Sequence, residues 1–212
     1  MICVSIADVT ADEACRIIRE NEISEVRLDR IKFSDSDIEK IFTSGKTVAT
    51  YRPVEGLKEE KRKEILRAAI KLGASYVDVE VENDDSFKDD IRECAAGTDC
   101  KIIISYHDYK KTPVMRELEQ IISWCFESGA DVAKIACQAN SSSDASRLLS
   151  LYSLGRPIIS IGMGEAGKIT RIAAPLLGAP FTYASLDAER ETAPGQIDSA
   201  TLQNIIDMIG NS

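Results

Sequence analysis

Short runs rich in β-branched and aromatic residues recur along this chain, separated by stretches whose apolar residues repeat at helical spacing. The runs are ICVSIA (2–7), EVRLDR (25–30), TVATYR (47–52), YVDVEV (76–81), KIIISYHD (101–108), VAKIAC (132–137), PIISIG (157–162) and FTYAS (181–185). They recur every ~26 residues, the length of a strand, a helix and two short loops. Between them, Met115, Leu118, Ile122 and Cys125, or Leu202, Ile205, Ile206 and Ile209, follow a period near 3.6 and predict helices with one apolar stripe. Two junctions, KLGASYVDVE and ESGADVAKIA, share a glycine that ends a helix directly before a strand, a weak internal repeat. Strictly alternating β and α units imply parallel strands with right-handed crossovers. Eight units predict a (β/α)8 TIM barrel forming a single compact domain over residues 1–212, with an open doubly wound sheet as the alternative. Such barrels usually need ~250 residues, so no second domain fits.

Strands covered by helices normally read as continuous apolar runs, and several of these do not. Alternation puts Glu25, Arg27 and Asp29 on one face of the second run, against Val26 and Leu28 on the other. Asp78 and Glu80 share a face in the fourth, Thr50 and Arg52 in the third, Ser105 and His107 in the fifth. Lys134 stands with Val132 and Ala136 in the sixth. The apolar faces must meet the helices, so the polar faces point into the barrel.

Composition narrows the function. Hydrophobic residues make up 44% and charged residues 29% of the 212, with no low-complexity tract. A net charge of -9 argues against nucleic-acid and anionic-membrane partners, while a small anion is acceptable wherever cations gather locally. The six cysteines (Cys3, Cys15, Cys94, Cys100, Cys125, Cys137) have no CxxC spacing and read as reduced core residues of a cytoplasmic protein. No leader-like N-terminus and no apolar run of about 18 residues is present, so a soluble protein is expected.

Charged residues gathered near the carboxyl ends of parallel strands mark the end of a barrel where active sites form. Lys134, alone in an apolar run, is either half of an interior ion pair or a nucleophile for a carbonyl. Arg27 and Arg52 favour a free amine there, while Asp78 and Glu80 oppose it. His107, the single histidine, shares the polar face one strand away and suits proton transfer in imine chemistry. The competing reading is a metal site from His107 with Asp78, Glu80 or Asp108. GMGEAG (162–167) fits a dinucleotide fingerprint, but only one strand and one helix follow it, too few for a nucleotide-binding half. A tight loop whose amides receive an anion, aided by Arg171, is the simpler reading, with a solvated surface arginine as the alternative. The loop AERETAPGQ (188–196) is either a connector or a lid over the barrel mouth.

With these positions in view, the chain resembles type I 3-dehydroquinate dehydratase along essentially its whole length. The resemblance is carried, in order, by EVRLD, TYRP, SYHD, VAKIA, GMGxxGxxxR and TAPGQ. It implies a (β/α)8 barrel that converts 3-dehydroquinate to 3-dehydroshikimate, in the shikimate route to aromatic amino acids, with no metal and no cofactor. It further implies that Lys134 forms the imine, that His107 is the general acid/base, and that Glu55 orients the imidazole. Arg171, Thr192 and Gln196 would hold the substrate carboxylate and the lid; Ser5, Glu25, Arg27 and Arg52 would contact the hydroxyls. The partners expected are this small-molecule substrate and at most a second copy of the chain. Three departures stand out: YRPVEG is one residue shorter than the bacterial form between arginine and glutamate, Thr192 stands where serine is common, and the N-terminal hairpin of many relatives is missing.

Overall fold

The computed structural model of the protein describes residues 1–210. Strands and helices alternate throughout: β1 (Ile2–Ile6), α1 (Ala11–Glu20), β2 (Ile23–Arg27), α2 (Asp35–Phe42), β3 (Thr47–Thr50), α3 (Glu59–Lys71), β4 (Tyr76–Glu80) and α4 (Asp85–Ala95). The second half continues with β5 (Lys101–Asp108), α5 (Met115–Glu127), β6 (Val132–Gln138), α6 (Ser142–Ser150), β7 (Ile158–Met163), α7 (Lys168–Ala173), β8 (Thr182–Ser185) and α8 (Ser199–Gly210). The strands form one parallel sheet in the order β7-β6-β5-β4-β3-β2-β1-β8, a nearly closed (β/α)8 barrel whose ends, β7 and β8, share no ladder.

Local chemistry explains the elements. Thr10 caps α1 by accepting from the Glu13 amide at 3.2 Å, with Asp12 and Glu13 in the first turn and Arg19 in the last. The two glycine junctions close in the same way. Gly73 and Gly129 adopt left-handed φ of 99° and 91°, and the next amide, of Ala74 or Ala130, reaches back to the carbonyl of Ala69 or Cys125. Each helix is thereby stopped with four residues left before its strand begins.

The alternation seen in the sequence separates two cores. Val26, Val77, Val79, Ile104, Ile135 and Cys137 point outward and pack under the helices, with Leu118, Ile122 and Cys125 of α5 among their cover. Inside the barrel, Cys3, Ile23, Val48, Ile103, Val132, Ile159, Phe181 and Tyr183 form a second cluster. That apolar plug fills the amino-terminal half and leaves the carboxyl-terminal half to polar side chains.

Two expectations are revised. The second strand is Ile23–Arg27 rather than 25–30: the polar alternation of EVRLDR runs past the last ladder residue into a turn closed by the Arg30 amide on the Arg27 carbonyl at 2.8 Å. In α8 only Leu202 is buried, Ile205 and Ile206 are half-buried, and Ile209 is exposed, so the stripe is spent within its first turns. All six cysteines are free thiols, and no helix among the described residues is long and apolar enough to cross a membrane.

Candidate active site

One cavity opens at the carboxyl end of the barrel. It gathers Ser5 from β1, Glu25 and Arg27 from β2, Arg52 just beyond β3, His107 from β5, Lys134 from β6, Arg171 from α7, and Thr192 and Gln196 from the loop before α8. Ser5, Glu25, Arg27, His107 and Lys134 meet because each stands at an inward position on its strand, and Arg52, Arg171, Thr192 and Gln196 reach the same space from the loops and helix at that end. Ladder register places Lys134 beside Ser105 and His107 beside Ala136, so the amine and the imidazole are two positions apart on adjacent strands.

Lys134 is buried, and its Nζ donates to Asp78 Oδ2 at 2.8 Å, lies 3.6 Å from Glu25 Oε1, and sits over the Tyr183 ring. Asp78, wholly enclosed, also meets Arg52 Nη1 at 2.9 Å and accepts from the Ser105 hydroxyl at 2.6 Å. Burial raises the pKa of its carboxyl, but the charges of Arg52 and Lys134, joined by His107 once acid protonates it, outweigh this and hold it far below the ordinary carboxylate range. Asp78 is thus a fixed anion between two cations.

His107 keeps an edge open to the cavity yet is packed deeply enough that burial is the main cause pushing its pKa well below 6.5. Arg52, Lys134 and Arg27 push the same way, and Asp78 opposes them. The imidazole is therefore neutral at neutral pH and able to accept a proton.

Arg27 and Arg52 are already committed. Arg27 grips Asp29 bidentately at 3.0 and 2.7 Å; Arg52 Nη1 donates to Glu80 Oε1 at 2.6 Å and to Ser105 at 3.1 Å. Burial opposes both charges, but the carboxylates win and keep both arginines firmly protonated. Arg171 differs. It is 1% exposed, donates only Nη1 to the Tyr183 carbonyl at 3.3 Å, and its Nε and Nη2 have no partner among the described residues. Burial pushes its pKa down to about 10 despite the charge of Glu191. A buried guanidinium with two idle donors is a socket for a carboxylate.

A family model described as Type I 3-dehydroquinase matches residues 2–212. The chain belongs to that family. It is 36% identical over 219 residues to 3-dehydroquinate dehydratase of Methanococcus vannielii, covering 99% of this chain and 100% of the relative. Among solved structures, type I 3-dehydroquinate dehydratase from Clostridium difficile with covalently modified comenic acid matches with a TM-score of 0.85 at 22% identity. That match covers 99% of this chain and 92% of that one, and is a likeness of fold. The 3-dehydroquinate dehydratase of Aquifex aeolicus matches at 26% identity and a TM-score of 0.79 over 98% of each chain.

In this member of the 3-dehydroquinase family, every residue that the resemblance marked for catalysis or substrate contact lines the cavity except Glu55. Beyond Arg52 the chain leaves the barrel at Pro53 and turns back at Gly56, where φ is 83° and the Leu57 amide meets the Val54 carbonyl at 3.1 Å. Glu55 sits exposed on that turn. The carboxylate whose field reaches His107 is Asp78 instead.

The glycine loop also serves a different end. The Gly162 amide donates to Thr170 Oγ1 at 2.8 Å, that of Gly164 to the Pro194 carbonyl at 3.0 Å, and that of Gly167 to the Gly164 carbonyl at 3.1 Å. These amides are spent on packing the loop and tying down residues 188–196, which leaves the Arg171 side chain as the group with donors free for an anion. Gln196 finishes the tether: its Oε1 accepts from the Thr192 amide at 2.7 Å and hydroxyl at 3.1 Å, and its Nε2 donates to Ser5 Oγ at 3.4 Å. Ser5 and Thr50 in turn donate to Glu25, each at 2.9 Å. One hydrogen-bonded line thus runs from the loop to the carboxylate beside Lys134.

Among the described residues, no group of three or more His, Cys, Asp or Glu is arranged to hold a metal. Of the carboxylates named with His107 for a metal, Asp78 and Glu80 are paired with Arg52, and Asp108 Oδ1 accepts from the Lys110 and Lys111 amides at 2.8 and 3.1 Å. Tyr183 is the contact of Lys134 that sequence reasoning did not single out. Asp78 was named there as a charge opposing a free amine, and the structure pairs it with Lys134 directly.

Proposed function

We propose that this chain dehydrates 3-dehydroquinate to 3-dehydroshikimate through a Schiff base on Lys134, with His107 as general acid/base. Membership of the family supplies the reaction, and one observation supports the route: an enclosed amine and a neutral imidazole project from adjacent strands into a single cavity.

The neutral His107 takes a proton from the Lys134 ammonium, and the freed amine attacks the substrate ketone. The Nζ–C bond forms, the carbonyl oxygen leaves as water, and the positive charge stays on nitrogen. An iminium is a far stronger electron sink than a ketone, so His107, again neutral, removes the proton from the adjacent carbon. The electron pair moves into an enamine, which expels the hydroxyl one carbon further on. The proton held by His107 goes with that hydroxyl as a second water. Hydrolysis of the conjugated iminium returns Lys134 and releases the enone.

Arg171 receives the substrate carboxylate, with Gln196 and Thr192 closing the loop beside it. Glu25, Arg27, Arg52 and Ser5 face the ring hydroxyls, and their mutual pairing keeps them in place before substrate arrives. Asp78 positions Lys134 without accepting protons, since its carboxyl is held so far below the ordinary range. The test is the appearance of enone absorbance when purified protein meets 3-dehydroquinate. Lys134→Ala and His107→Ala should each reduce it by at least a hundredfold, a typical size for loss of a proton-transfer group; full turnover by Lys134→Ala would reject the route.

A further inference from the structure

We propose that Tyr183 is a catalytic residue: the face of its ring carries the positive charge on Lys134 Nζ from the free ammonium through to the protonated imine. The proposal rests on the Schiff-base reading above and adds a group to it.

Nζ stands 4.3 Å from the Tyr183 ring centroid, inside the ~6 Å range over which a ring face attracts a cation. Tyr183 is 2% exposed and fixed in place, with Phe181 packed edge-on at 5.4 Å and Phe181 itself edge-on to Tyr76 at 5.3 Å. This aromatic ladder is the floor on which the amine rests. The Tyr183 hydroxyl is buried and has no hydrogen-bond partner among the described residues. Its contact with Lys134 is therefore through the ring.

Counting hydrogen-bond donors shows why a ring face matters. An ammonium has three N–H donors, enough to serve Asp78 and Glu25 together. A protonated imine has one. When the Nζ–C bond forms, at most one carboxylate can remain hydrogen-bonded, while the charge stays. Attraction to a ring face needs no N–H and so survives the change. The other groups acting on this nitrogen cannot substitute for it. Asp78 is shared with Arg52 and Ser105, Glu25 is held by Ser5 and Thr50, and His107 must cycle its proton.

The test replaces Tyr183 by phenylalanine and by singly, doubly and triply fluorinated phenylalanine. Fluorination barely alters shape but progressively removes the negative charge of the ring face, and Tyr183→Phe is the reference. Borohydride is added during turnover, and the initial rate of adduct formation on Lys134, with kcat, is normalised to the folded fraction measured by circular dichroism. Both should fall stepwise with each fluorine, by roughly tenfold across the series, a loss of ~1.4 kcal/mol. A flat series, with the unsubstituted protein still trapped at Lys134, overturns the role of Tyr183 and leaves the Schiff base standing. Absence of any adduct on the unsubstituted protein removes both.

Discussion

Arg171 offers the sharpest separation of function from folding. Its guanidinium is 1% exposed with two nitrogens unpartnered among the described residues, and burial has pushed its pKa down to about 10, so carrying the charge costs the empty protein roughly 3 kcal/mol. Arg171→Met keeps an unbranched side chain in the slot and removes that cost. It forfeits one long hydrogen bond to the Tyr183 carbonyl, worth about 1 kcal/mol. The substrate-free protein should gain about 2 kcal/mol, which raises Tm by roughly 4–8 °C for a chain of this size. Binding should move the other way. Losing a buried charge-assisted pair with the substrate carboxylate costs about 3 kcal/mol or more, so KM should rise a hundredfold or more. Calorimetry without substrate, beside steady-state kinetics on the same preparation, reads both. A lower Tm with unchanged KM would refute the reasoning and make Arg171 a structural cation.

The acid limb of kcat/KM reports the free His107 imidazole. Only the neutral form acts as base, and its pKa lies well below 6.5, so activity should persist as pH falls through 6.5 and decline below it; a limb at or above 6.5 contradicts this. By the same sign, the unfolded chain binds this proton first, so the group should lower stability as pH drops below 6.5, measurable by denaturant titration. Arg62 is 1% exposed on α3 and donates to Glu80 Oε2 at 2.6 Å while lying over the Phe87 ring at 4.6 Å. Arg62→Met breaks a buried pair and should cost about 3 kcal/mol, lowering Tm by roughly 6–12 °C, with KM raised because Glu80 positions Arg52; a change below about 2 °C would contradict it. A methyl group on Gly167 would collide with the Gly162 backbone, so Gly167→Ala should destabilise by about 2 kcal/mol in a thermal melt, and a variant as stable as the parent would show that this turn has slack.

The barrel was legible because strand faces alternate with a period of two, and that parity holds whatever the loops do. Parity alone brought Glu25, Arg27, Arg52, His107 and Lys134 to one interior, although β2 begins two residues earlier than its polar pattern suggests. What parity cannot show is pairing across the barrel. Asp78 and Lys134 are 56 positions apart, and each strand discloses only that its residue faces inward. Tyr183 drew no notice in the sequence for the same reason: an inward aromatic looks alike whether or not a cation sits on its face. Glu55 stands exposed and off the cavity because the chain turns at Pro53 and a left-handed Gly56, a direction that spacing does not show. The glycine motif showed its close approaches, but its amides are claimed by Thr170 and Pro194, partners outside the motif.

The most direct measurement is peptide mass mapping of the protein after borohydride treatment in the presence and absence of 3-dehydroquinate. A substrate-dependent adduct confined to the peptide bearing Lys134, with parallel loss of activity, is the expected result. Full activity after treatment, or an adduct on any other lysine, would contradict the imine at the centre of the account.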